Sequence, residues 1–243
     1  IGLDPGPILI EPSAKNTAPA VLAAVRYALN ENPEAILLVA PSDHLISDDL
    51  LFHNCVQRGL TALNEGKIVT FGVKPTWAEV GYGYLRVKEN SQGAILNLSN
   101  FEEKPSYIKA EEMLADEKYL WNSGIFLFKA ADMMSAFEKY SNTLVDPVCG
   151  AVDESSVDLG FVRLSKSHWD QCQNISIDYA VMEHAPNLAV VPLNLEWSDL
   201  GDWNAVWRAM KQDENGVAVN SNSHAFDCEN TLIFSGHLDQ KIV

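Results

Sequence analysis

Apolar positions along this 243-residue chain fall into short unbroken runs separated by longer amphipathic stretches. Ile8-Leu9-Ile10, Ala35 to Ala40 and Leu188 to Leu193 have the length and branched content of strands, and 35–40 reads as a strand buried on both faces of a parallel sheet. Helical spacing runs from a cap at Asn16 or Thr17 to about Asn30, with Pro19 tolerated in the first turn, and again from about Asp48 to Glu65, closed by Gly66. Lys67 to Val73 is the next strand. Strands alternating with helices predict an α/β domain. After Pro75 the pattern changes: 81–87 and 94–101 read as extended segments of a mixed sheet, 106–118 and 131–140 as helices, and 125–128 as a strand. The stretch 145–164 carries mixed signals and is given no element. A polar break at 211–216 marks an expected domain boundary, dividing 1–212 from 213–243. The latter alternates apolar pairs with Asn, Ser, Asp and Gly, as the start of a β-rich, β-helix-like segment would.

Composition narrows the class. A formal net charge of −16 argues against nonspecific nucleic-acid binding, which needs a basic footprint. No run is long enough to span a membrane and no signal peptide is visible, so a cytoplasmic protein is expected. Cys55, Cys149, Cys172 and Cys228 are scattered without metal or redox spacing, which suits reduced thiols. The chain starts at Ile1 without an initiator methionine and is expected to be a piece of a longer protein.

Two carboxylates stand out. Asp43, in Pro-Ser-Asp-His, follows the 35–40 strand, and Asp199, in Trp-Ser-Asp-Leu-Gly-Asp-Trp, follows the 188–193 strand. Carboxyl ends of strands are where open α/β sheets bind ligands. A pair of carboxylates suits magnesium, which completes its shell with water and phosphate oxygens. Alternatively Asp43 starts a turn and Asp202 caps a helix. In Phe101-Glu102-Glu103-Lys104-Pro105 a strand ends on adjacent acid and base, fit for sugar hydroxyls and a phosphate or else a solvated charged turn. Trp121-Asn122-Ser123-Gly124 offers an amide that donates and accepts, and a glycine that lets backbone approach a ligand; a plain turn explains it too. Gly81-Tyr82-Gly83 opens backbone amides toward a sugar or simply forms a hairpin or bulge. Glu11 and the segment Asn16-Thr17-Ala18-Pro19 join a strand end to a helix N-terminus, which can face an anion or a base edge or simply cap the helix. Asp178 begins the helix-like Ser-Ile-Asp-Tyr-Ala-Val-Met-Glu, spaced mostly for core packing.

In order, Glu-Pro-x-x-Lys-Asn-Thr-Ala-Pro-Ala, Pro-Ser-Asp-His, Gly-Tyr-Gly-Tyr, Phe-x-Glu-Lys-Pro, Trp-Asn-Ser-Gly-Ile-Phe, Ser-Ile-Asp-Tyr-Ala-Val-Met-Glu and Trp-x-Asp-Leu-Gly-x-Trp resemble the mannose-1-phosphate guanylyltransferase family over roughly Pro7 to Trp207. The resemblance implies a Rossmann-like glycosyltransferase A fold with a mixed, mainly parallel central sheet. It implies an enzyme making GDP-mannose and pyrophosphate from GTP and mannose 1-phosphate with Mg2+. Carried onto this chain, Asp43 and Asp199 are magnesium ligands and Lys104 lies near the sugar phosphate, these three being the catalytic set. Gly83, Glu103, Asn122, Gly124 and Asp178 address the sugar, and Glu11 with Asn16, Thr17, Ala18 and Pro19 the guanine. Two departures stand beside it. Lys15 stands where many members have Arg, and the family's opening glycine-rich loop, Gly-Gly-x-Gly-x-Arg-Leu-x-Pro, has no match here, so the chain is expected to be impaired. Other expectations are a different sugar or base specificity, or a noncatalytic sugar-nucleotide-binding subunit. Oligomeric state is left open, with a homo-oligomer among the options, as is a downstream phosphomannose isomerase domain.

Overall fold

The computed structural model describes residues 6–220 and 223–235. In chain order it contains β1 (Ile8–Ile10), α1 (Thr17–Glu31), β2 (Ile36–Val39), β3 (Leu45–Ile46), α2 (Asp49–Ala62), β4 (Ile68–Val73), β5 (Tyr84–Val87) and β6 (Leu96–Glu102). There follow α3 (Tyr107–Ala115), β7 (Tyr119–Lys129), α4 (Ala130–Tyr140), α5 (Val145–Asp153), β8 (Ser156–Asp158), β9 (Phe161–Arg163) and α6 (Lys166–Trp169). A π-helical turn at Asp178–Met182 leads to β10 (Leu188–Leu193), β11 (Trp197–Ser198), α7 (Trp203–Ala209), β12 (Ala218–Val219) and β13 (Leu232–Ile233). The chain divides into two compact units. One holds the described residues up to Pro41 together with Leu50–Asn194, and the other holds Ser42–Asp49 together with the described residues from Leu195 onward.

The first unit is built on a six-stranded sheet of order β2-β7-β4-β10-β6-β5, in which β5 also pairs with β7. The sheet is mixed, as expected, but not mainly parallel: of its six strand pairings only β4–β10 is parallel. β4 and β10 are parallel neighbours, whereas the long β7 runs antiparallel to β2, β4 and β5. β4 is buried at every position, and Phe71, Phe128, Met133, Phe137 and Trp169 are among the largest enclosed side chains. Helix α1 shows how local sequence builds this core. Asn16 accepts the Thr17 backbone N–H at 2.8 Å and starts the helix, and Ala18, Val21, Leu22 and Val25 bury one face at helical spacing. That face packs with α4 and α5. Gly66, at φ 66°, supplies the left-handed residue that stops the segment begun by α2.

Two further expectations are corrected, and one open stretch gains its elements. The 35–40 strand is not buried on both faces: β2 ends the sheet order, and Ile36 and Leu38 are 48% and 42% exposed. The strand at 125–128 extends over Tyr119–Lys129, so Trp121 to Gly124 lie inside the strand rather than in a turn before it. The unassigned 145–164 holds α5 and the β8–β9 hairpin, with β9 pairing in parallel with β1. This hairpin turns on Leu159-Gly160, both at positive φ, 51° and 85°. Leucine is a poor signal for such a turn, which is why the sequence pattern hides it.

In the second unit β3 and β11 form a short antiparallel ladder. Asp202 caps α7 by accepting the Ala205 N–H at 2.6 Å. The polar break at 211–216 is a turn in which Asp213 Oδ1 accepts the N–H groups of Asn215 and Val217, both at 2.9 Å. Beyond it β12 and β13 pair in parallel, and the Asn220 side chain extends the pairing by bonding both main-chain groups of Ser235, at 3.0 and 2.8 Å. Of the expected β-rich 213–243, residues 221–222 and 236–243 lie outside the described residues.

Candidate functional site

The five residues named for the sugar, Gly83, Glu103, Asn122, Gly124 and Asp178, converge in the first unit. Asn122, on β7, donates from Nδ2 to Asp178 Oδ1 at 3.1 Å, while its Oδ1 accepts from the Thr70 hydroxyl at 2.9 Å and from the Gly124 N–H at 3.2 Å. Gly124 sits at φ 70°, which lets its amide turn back on that side chain. The Asn122 backbone N–H donates to the Gly83 carbonyl at 2.8 Å. A Cβ at Gly83 would lie 2.5 Å from Glu103 Oε2 and 3.5 Å from Asn122 Cβ, so this position admits only glycine while Glu103 holds its place. Lys104, at φ 47°, puts its ammonium 3.7 Å from Glu103 Oε1 and stays exposed.

Burial dominates the electrostatics. The Glu103 side chain is 9% exposed, and desolvation, reinforced by Asp178 and Glu183 and opposed by Lys104, pushes its carboxyl up to about 7 from 4.5. Burial also raises the Asp178 carboxyl. A Glu103 carboxyl that can hold its proton near neutrality is suited to exchanging hydrogen bonds with hydroxyl groups. The folded protein therefore keeps a proton on Glu103 between about 4.5 and about 7 that the unfolded chain has released. Stability from this group is present below about 4.5 and is lost as pH rises through about 7. Glu103→Gln is expected to melt higher than the parent at pH 8, by up to about 3 kcal/mol, and to match it near pH 4.5. An equal gain at both pH values would contradict this account.

The Glu11 and Asn16–Pro19 region is fastened to the segment that carries Asp178. Thr17 Oγ1 accepts the Ile177 N–H at 2.9 Å, the Ala18 N–H donates to the Ile175 carbonyl at 3.1 Å, and burial raises the Glu11 carboxyl. Asn16 uses its side-chain oxygen on Thr17 and holds φ 66°. Pro19 and Ala18 are buried, so they shape the turn from within.

Asp43 and Asp199 both belong to the second unit. In the β3–β11 ladder Leu45 faces Ser198, His44 and Asp199 are the next residues beyond that pair, and Asp43 precedes His44. Both carboxylates favour protonation of His44, although burial outweighs them and lowers its pKa. Trp197 Nε1–H donates to His44 Nδ1 at 3.3 Å, and Asp199 Oδ1 accepts the Gly201 N–H at 3.2 Å. Among the described residues no three His, Cys, Asp or Glu side chains form a ready-made metal cage. A pair of carboxylates fits magnesium, whose remaining ligands are water and phosphate.

Sequence reasoning passed over three residues. Thr70 is the polar member of the wholly buried β4, a visible signal, since a hydroxyl there needs a partner. His44 was signalled only by adjacency to Asp43. Glu183 closes the segment of Asp178 and accepts the Glu103 backbone N–H at 3.2 Å.

A mixed α/β sheet carrying such a cluster defines the class, and the chain belongs to the nucleotidyl transferase family, whose model matches residues 7–216. Members of this family generally use a divalent metal. The chain is 40% identical over 236 residues to the mannose-1-phosphate guanylyltransferase of Sinorhizobium fredii, covering 97% of this chain and 46% of that protein. It is 37% identical to the xanthan biosynthesis protein XanB of Xanthomonas campestris pv. campestris, covering 98% and 50%. The chain thus spans about half the length of the curated relatives it matches. A crystal structure from Thermus thermophilus, described as a mannose-1-phosphate geranyltransferase, superposes with a TM-score of 0.77 at 33% identity, covering 88% of this chain and 62% of that one. Among the described residues no helix is long and apolar enough to cross a membrane.

Proposed function

We propose that this chain carries the nucleotidyl-transfer part of a mannose-1-phosphate guanylyltransferase, transferring GMP from GTP to mannose 1-phosphate to give GDP-mannose and pyrophosphate. The observation that carries this reading is the cluster in which Asn122 is hydrogen bonded to both Asp178 and Gly83 and Glu103 lies against Gly83, with Lys104 at its rim. Glu103, Asp178 and Asn122 supply the acceptors and donors that a sugar's hydroxyl pairs require, and Gly83 and Gly124 keep backbone close to the ring. Lys104 neutralises the sugar phosphate. Glu11, a carboxylate near the α1 start, is suited to accept the N1 and N2 protons of guanine, with the Asn16–Pro19 turn beside it.

Asp43 and Asp199 are the residues that would hold Mg2+, which when bound neutralises the triphosphate and the departing pyrophosphate. A phosphate oxygen of mannose 1-phosphate attacks the α-phosphorus of GTP in line: one P–O bond forms as the bond to pyrophosphate breaks, without a covalent enzyme intermediate. The protein contributes position and charge. In this reading 1–212 is the nucleotidyltransferase domain and 213–243 opens a β-rich segment, and the enzyme supplies a sugar nucleotide for polysaccharide synthesis in the cytoplasm.

Calorimetric titration with GDP-mannose, with and without magnesium and with UDP-glucose as control, tests the reading. Magnesium-dependent binding selective for GDP-mannose is expected. Equal affinity for UDP-glucose would overturn the assignment of base and sugar.

A further inference from the structure

Asp178 opens the π-helical turn and Glu183 follows it, donating its backbone N–H to the Asp178 carbonyl at 3.0 Å across five residues. On an α-helix, positions five apart diverge by roughly 140° around the axis. The wider π-turn swings them back toward one side, and such turns concentrate at functional sites. Both side chains accordingly reach the same cluster: Asp178 accepts from Asn122, and Glu183 Oε1 accepts the backbone N–H of Glu103. Ala180, Val181 and Met182 between them are buried core, whereas Glu183 is exposed, so core packing does not require it. Its bond holds the residue immediately before Lys104, a non-glycine residue at φ 47° whose left-handed backbone needs holding.

We infer that Glu183 is a positioning residue of the sugar-phosphate cluster, pinning the Glu103–Lys104 turn, and that the π-turn is the device that presents it there. This rests on the reading of Glu103 and Lys104 as sugar-phosphate residues. The charged groups facing Glu103 are Asp178 and Glu183 from the π-turn and Lys104 from its own turn, so removing the Glu183 charge also eases ionisation of Glu103.

Glu183→Gln keeps an acceptor oxygen and Glu183→Leu removes it. For the parent and both variants, hydrogen exchange at the Glu103 amide is followed without ligand, and mannose 1-phosphate affinity is measured by calorimetry. The Gln variant is expected to keep the parent's protection and to bind within about twofold; the Leu variant exchanges at Glu103 about tenfold faster and binds about tenfold more weakly. Amides of the buried strand β4 stay protected in all three. Unchanged Glu103 exchange in the Leu variant overturns the proposal, as does faster exchange spread equally to β4. A parent that binds no mannose 1-phosphate defeats the functional reading instead, and Glu103 exchange alone then decides the role of Glu183.

Discussion

Replacing Asp199 with Ala is expected to abolish the magnesium dependence of nucleotide-sugar binding and to lower any turnover at least about 100-fold, since a metal's charge stabilisation is worth several kcal/mol. The fold should survive. Asp199 is half-buried at the end of a two-residue ladder, and among the local contacts it gives up is the Gly201 N–H at 3.2 Å. Asp199→Asn separates the two roles, because an amide oxygen can still accept from Gly201 while the charge is gone. Both variants should lose magnesium dependence in a calorimetric titration, with Asn melting closer to the parent than Ala. A variant in which magnesium still strengthens binding as it does in the parent would remove Asp199 from the metal assignment.

Gly83→Ala is expected to weaken sugar binding by about tenfold to a hundredfold with little change in melting temperature, the loss of one or two hydrogen bonds to a charged acceptor. The new methyl would meet the Glu103 carboxylate first, with Oε2 at 2.5 Å, followed by Phe101 Cζ at 3.2 Å. A carboxylate at the tip of a flexible side chain yields more readily than a strand, so Glu103 swings out and the backbone stays. Displacement toward water also returns the Glu103 carboxyl from about 7 toward the ordinary range. Binding of mannose 1-phosphate against pH, alongside thermal melting, checks both effects. A variant that binds like the parent, or one that binds weakly only because it is unfolded, would contradict this geometry.

Much of the fold was legible because hydrophobic period and caps act locally. Asn16, Gly66 and Asp202 bound their helices as their chemistry predicts, and the apolar 67–73 and 188–193 are core strands. What was hidden depends on neighbours distant in sequence. Ile36 and Leu38 look like core by composition, but where β2 falls in the sheet order decides whether anything covers them. Asn122 looks like a turn residue because polar side chains mark turns. In β7 it is instead buried and satisfied by Thr70 and Asp178, partners 52 and 56 residues away. The π-turn was illegible for a similar reason: its apolar spacing resembles an ordinary helix, and the extra residue shows only once Glu183 has bonded back to Asp178.

The second unit draws one short segment, Ser42–Asp49, from early in the chain, and its other residues come only after Asn194. Bringing Asp43 and Asp199 together thus closes a loop of some 150 residues, an entropic cost of about 4 kcal/mol plus a constant if that loop were a free coil. Prior folding of the intervening unit would shrink that loop. With Asp43 and Asp199 as the proposed metal ligands, magnesium affinity regained during refolding is expected to report closure of that long loop rather than the formation of any one element.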